Sequence, residues 1–204
     1  MQRTKVAVIV AAVVSVCLVA AGAEAARSTL TAQHVSHRMA MTPPTLVQQL
    51  ALAREATVKY VTDLDRAKAD GYGIITRMIP DMGWHFLNPK VTTFDVRKPA
   101  ILVYERRAGK WQLAALEWVW PTKPAKPPLP GARYGAFPAV CHYADGTFVP
   151  EASQDACPKT CPQTNAAFGF WHPNLVTMHV WIWYPNPSGL FASMNPLAAA
   201  FNKG

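Results

Sequence analysis

Only one stretch of this chain carries the repeat of a helix of any length, and the residues beyond it are patterned for strands. In "TPPTLVQQLALAREATVKYVTDLDRAKADGYG", Leu46, Leu50, Ala53, Tyr60, Val61, Leu64 and Ala67 recur at three- and four-residue steps. A helix over this segment therefore presents one apolar stripe. Thr42 is the expected N-cap, with Pro43 and Pro44 in the first turn, where no N–H partner is lost. Gly71 ends the element.

Beyond it the apolar runs are short and turn residues separate them. "YGIITRMI" stops at Pro80 and "GWHFLN" at Pro89. "AILVYERR" and "WQLAALEWVW" flank "AGK", a hairpin signal in which Gly109 supplies a positive φ. Asp145-Gly146 in "YADGTF" reads as a second hairpin turn. Residues 121–131 are rich in proline, which removes donors and fixes φ, so they form a connector rather than a helix or central strand. "GFWHPNLVTMHVWIWYP" supplies a last strand that Pro185 and Pro187 stop. One long N-terminal helix followed by antiparallel strands predicts an α+β fold, the helix packed on a curved sheet in a cystatin-like or NTF2-like wrap.

The first residues stand apart from this pattern. Arg3 and Lys5 precede an apolar run from Val6 to Ala20, and Ala23 and Ala25 flank Glu24 in an A-x-A arrangement. That is the pattern of a signal peptide over residues 1–25, with export to the periplasm or the medium as its consequence. The run is short for a spanning helix, so no membrane span is expected after cleavage. Residues 26–41 read as a flexible lead-in, and 42–204 as a single α+β domain. Lys and Arg number 20 against 12 Asp and Glu. The excess is scattered, without the clustered basic footprint that nucleic-acid binding needs, so that class is set aside. Cleavage leaves Cys141, Cys157 and Cys161. In an oxidising compartment this means one bridge and one spare thiol. Cys141–Cys157 is the preferred pairing, with Cys141–Cys161 as the alternative.

Alternation locates the chemistry. In "LAALEWVW", Glu117 shares a face with Leu113, Ala115 and Val119, an apolar strand face. His179 intrudes in the same way in "TMHVWIW", and His85 in "MGWHFLN". Glu105 shares a face with Ile101 and Val103. A buried carboxylate is costly unless paired, hydrogen-bonded, metal-bound or protonated. Two imidazoles and a carboxylate on neighbouring strands suit one divalent ion, Zn, Cu or Fe, with an open position. His85, His179, Glu117 and Glu105 are the candidate ligands. A hydrogen-bonded Glu–His pair without metal is the alternative. Trp84, Trp118, Trp181 and Trp183, with Asn88 and Asn186, are the candidate ligand-binding residues of a Trp-lined concave site. "LFASMNP" is expected to fold back as its rim. His142 is expected in an exposed loop and His172 in a turn-stabilising role.

"MGWHFLNP", "RKPAILVYE", "LAALEWVW" and "HVWIWYPNPSGLFASMNP" together resemble a family of small exported bacterial proteins of uncharacterised function. Its marks are an M-G-x-H-[FY]-x-N segment and a late H-V-W-x-W-x-x-N-P-x-G-x-F-x-x-x-N-P segment. The resemblance implies that His85, Asn88, Glu105, Glu117, His179, Trp181, Asn186 and Asn195 occupy characteristic positions, and it brings no activity with it. The function expected is that of an exported domain binding a small molecule, with a metal ion held by His85, His179 and a carboxylate. A metal-dependent enzyme or carrier, and a structural envelope domain with no site, are the alternatives.

Overall fold

The computed structural model describes residues 44–198; the signal-peptide reading, the lead-in over 26–41 and the Thr42 cap lie outside the described residues. The expected helix is there but shorter. α1 spans Leu46–Thr57, a single 3₁₀ turn continues over Val58–Tyr60, and a separate α2 spans Leu64–Ala69. Thr45 caps α1 in a reciprocal box with Gln48. Beyond the 3₁₀ turn the backbone carbonyls are bonded to the sheet and not to a further helical turn. The Tyr104 hydroxyl donates to the Tyr60 carbonyl at 2.8 Å, and the Leu113 N–H donates to that of Val61 at 2.8 Å. Asp63 then restarts the chain as the cap of α2, accepting from the Arg66 N–H.

The rest of the described chain forms nine strands: β1 Gly73–Ile79, β2 Gly83–Leu87, β3 Ile101–Arg107, β4 Lys110–Trp120, β5 Gly135–Phe137, β6 Val140–Tyr143, β7 Phe148–Pro150, β8 Phe168–His172 and β9 Leu175–Val180. Six of them form one curled antiparallel sheet in the order β1-β2-β3-β4-β9-β5, and three form a second in the order β7-β6-β8. The fold is α+β, as the patterning implies. The β3–β4 hairpin turns at Ala108 and Gly109, both at positive φ. Residues 121–131 contain no strand or helix.

The last strand does not run through as expected. Pro173 removes a donor and splits it, leaving β8 in the small sheet and β9 in the large one. Asn174 at the break accepts from the Ala139 N–H at 2.9 Å. This change of sheet has a functional consequence, because it lays β6 and β8 over one face of the large sheet.

The two faces of that sheet are filled differently. Ala53, Tyr60, Leu64 and Ala67 of the helical segment pack with Phe86, Leu102, Tyr104, Leu116, Trp118, Met178 and Val180. The opposite face carries Ile101, Val103, Ala115 and Trp181. Burying large apolar side chains of this kind yields roughly 1.5–3 kcal/mol each, so the first face supplies most of the stability. The second face leaves room for polar groups.

Candidate metal centre

His85, Glu117 and His179 all emerge on the face away from the helices. Register explains how they meet. Glu117 pairs directly with His179 across β4 and β9, and with Ile101 across β3 and β4. His85 pairs with Val103, and Val103 with Ala115. His85 therefore reaches Glu117 diagonally, across β3. Gly83 sits two residues before His85 at φ +114°, and a Cβ there would collide with the Tyr104 carbonyl. Only glycine lets β2 begin so close to β3.

The Nε2 of His85 lies 3.6 Å from Glu117 Oε2, and the Nε2 of His179 lies 3.5 Å from Glu117 Oε1. One donor atom from each residue falls within 4.8 Å of the other two, and all three residues are buried. Two donors bound to one ion at about 2.0–2.2 Å and near tetrahedral angles stand roughly 3.5 Å apart, so the two His–Glu separations suit a shared ion. A register bulge in β1 after Ile74 brings Thr76 opposite His85. Its hydroxyl oxygen lies 2.7 Å from His85 Nδ1 and accepts from the His85 backbone N–H at 3.2 Å. That contact leaves Nε2 facing the carboxylate, the outer-shell arrangement that orients ligating imidazoles. The His179 ring is stacked on Trp181 at 6.2 Å with 15° between planes. Neither of its nitrogens makes a hydrogen bond among the described residues.

Burial governs the charges. It pushes Glu117 up to about 8 and His179 down to about 4. Burial, with repulsion from His179, pushes His85 down to about 3. Burial thus favours the uncharged form of all three groups, and neutral is the state in which imidazoles ligate.

The three residues form part of the wall of a cavity of about 250 Å³. Ile75, Ile79, Val119, Phe137, Phe170 and Leu175 give the rest an apolar character, and Ser193 of the returning tail reaches its edge. The tail folds back as expected, with the Asn195 N–H bonded to the Asp81 carbonyl and the Trp181 indole N–H bonded to that of Ala192.

Several residues named from the sequence lie elsewhere. Trp84 and Trp118 neighbour His85 and Glu117 in the chain, so alternation sends them to the helix side of the sheet. Trp183 joins them because β9 ends at Val180 and the alternation breaks there; its indole N–H donates to Thr57 at 3.0 Å. Trp181 supports His179 and does not line the cavity. The cavity is therefore walled by isoleucine and phenylalanine and not by tryptophan. Asn88 bonds the Asp70 carbonyl and the Lys90 N–H, and Asn186 bonds the Met194 carbonyl and the Ser188 N–H. Both fasten loops. Glu105 is buried but stands outside the His/Glu/His group.

His142 reverses its expectation. It is buried in β6, and with half-buried His172 of β8 it lines the cavity. Alternation within "VCHY" and "FGFWH" places His142, Phe170 and His172 on inward faces once those runs are taken as strands. The disulfide is Cys141–Cys157, and Cys161 is a buried free thiol.

Fold and site together define an α+β domain with a buried two-histidine, one-carboxylate cluster at an apolar cavity. No protein-family model matches the chain, and no curated protein or solved structure matches it either.

Proposed function

We propose that this protein binds one divalent transition-metal ion through His85, His179 and Glu117, and holds a small, mainly apolar molecule in the cavity beside it. The observation that carries the reading is the convergence of three buried donors within 4.8 Å, two of them aimed at the carboxylate of the third. Two imidazoles and one carboxylate suit Zn, Fe or Cu, and three protein ligands leave coordination positions open. The apolar walls match the composition of small-molecule sites. Export remains part of the proposal: the Cys141–Cys157 bridge suits an oxidising compartment. We read the helix and curled sheet as a framework of the cystatin-like or NTF2-like kind.

Metal-dependent catalysis is the second reading. An ion with open positions in a water-poor cavity can polarise a bound group or activate water.

Elemental analysis of protein purified from the extracytoplasmic fraction, followed by calorimetric titration of the chelated protein with Zn²⁺, Fe²⁺ and Cu²⁺, tests the reading. One ion per chain in the natural protein, lost in His85→Ala and Glu117→Gln, is the expected result. Folded wild-type protein that binds none of these ions would overturn it.

A further inference from the structure

The cavity has a second wall with its own chemistry. His142 and His172 belong to the small sheet, and their rings stand 5.0 Å apart. Each has its Nδ1 at a backbone carbonyl: His142 at Ile75, 2.7 Å, and His172 at Pro173, 2.6 Å. A carbonyl only accepts, so both Nδ1 atoms must carry the proton. The β1 bulge turns the Ile75 carbonyl toward β6 for this purpose. Burial lowers the proton affinity of both rings, that of His142 to about 4, so both are neutral. In a neutral imidazole with Nδ1–H, Nε2 is an acceptor with no proton of its own.

His142 Nε2 is buried and makes no hydrogen bond among the described residues. Its ring stacks on Phe170 at 4.6 Å, with Phe148 at 6.2 Å and Phe137 at 6.5 Å around it, and its Nδ1 is fixed on the Ile75 carbonyl. The ring therefore has little freedom to turn toward another partner. Neither histidine belongs to the group of three around Glu117. His142 thus brings a buried, unpaired acceptor to the apolar wall that it helps to line, and a buried acceptor left unpaired is costly.

We propose that the cavity selects molecules that carry a hydroxyl or N–H donor on an apolar body, a phenol being the simplest case, with the donor bonded to Nε2 of His142 and supported by His172. The size fits: a cavity of about 150 Å³ accommodates benzene, and this one measures about 250 Å³. Recognition at this wall rests on the reading of the cavity as a ligand site. It is independent of whether the metal is loaded.

The test compares 4-ethylphenol with 4-ethylanisole, which has nearly the same shape but no donor, by calorimetric titration. It uses wild type, His142→Phe and His172→Phe, each with metal loaded and after chelation. Wild type is expected to favour the phenol by about tenfold or more, because the ether leaves the acceptor unpaired. The preference should survive chelation and collapse in His142→Phe. Should that variant fold poorly, the ¹⁵N resonance of His142 Nε2 in wild type supplies the same answer. It should shift with the phenol and stay in place with the anisole. Equal affinity for both probes, an unmoved resonance, or a preference that vanishes on chelation would overturn the role of His142 while leaving the metal centre standing. Failure of both probes to bind would overturn it together with the ligand-site reading, whereas the ion titration would still report on the metal.

Discussion

Glu117 and His179 stand directly opposite one another on β4 and β9, with Oε1 3.5 Å from Nε2 and both side chains shut away from solvent. A cross-strand pair of this kind is ordinarily apolar. Here each member is a donor aimed at the same small volume that His85 enters from β2, and the strands around them furnish apolar neighbours and few hydrogen bonds.

Replacing Glu117 with Gln should therefore separate folding from metal binding. The amide keeps the shape and removes a buried acid whose neutral form the fold already favours, so thermal stability without metal should be unchanged or higher. Metal affinity should fall by more than about 100-fold, exceeding the loss that an outer-shell change causes. Calorimetry and thermal unfolding of the same sample check both halves.

Thr76 faces His85, so on the proposed reading it acts on a bound ion through that ring. Thr76→Val removes the oxygen that faces His85 Nδ1 and accepts from its backbone N–H, at a cost of about 1–3 kcal/mol in stability. Metal affinity should drop roughly 10–100-fold. Thr76→Ser should restore most of both. Denaturant midpoints and competition with a metal indicator measure the two effects.

Glu105 gives a pH signature apart from the three candidate ligands. Burial raises its carboxyl to about 7, opposed in part by Arg107. The folded protein thus holds a proton that the unfolded chain releases above the ordinary carboxylate range, so this group's contribution to stability falls as pH rises from about 4.5 through 7. Glu105→Gln removes that dependence. Relative to wild type, the variant should gain stability steadily over this window and then level off, as read from urea midpoints at a series of pH values.

The Cys141–Cys157 bridge spans 16 positions, and a loop of that length is worth about 3 kcal/mol in the chain-entropy picture. Cys141→Ser with Cys157→Ser should lower stability by about that amount. Because Cys141 adjoins His142, the small sheet should loosen first. Faster amide exchange at residues 140–143 than at β3 and β4 would show it, and Cys161 should react with thiol reagents sooner than in wild type.

Much of the site is legible in the sequence, and the misses have physical causes. His85, Glu117 and His179 declare themselves because each interrupts an apolar alternation, a pattern that survives any uncertainty about topology. The apolar period of the helix continues past Thr57, so periodicity alone overstates its length. After Thr57 the chain tightens into a 3₁₀ turn, and the Tyr60 and Val61 carbonyls bond to the sheet, long-range contacts that periodicity does not report. Proximity in the chain suggests the tryptophans for the site, yet neighbours on a strand face opposite ways. His142 and His172 stay hidden in the sequence because a proline between short runs gives no sign that β8 changes sheet and folds over β9's neighbours.

The central claim is that His85, His179 and Glu117 share one ion, and anomalous scattering from crystals soaked with Zn²⁺ tests it most directly. The expected result is one strong peak per chain within about 2.0–2.2 Å of both Nε2 atoms and a Glu117 carboxylate oxygen. A well-folded crystal with no peak there, or with its zinc held only by other side chains, would contradict it.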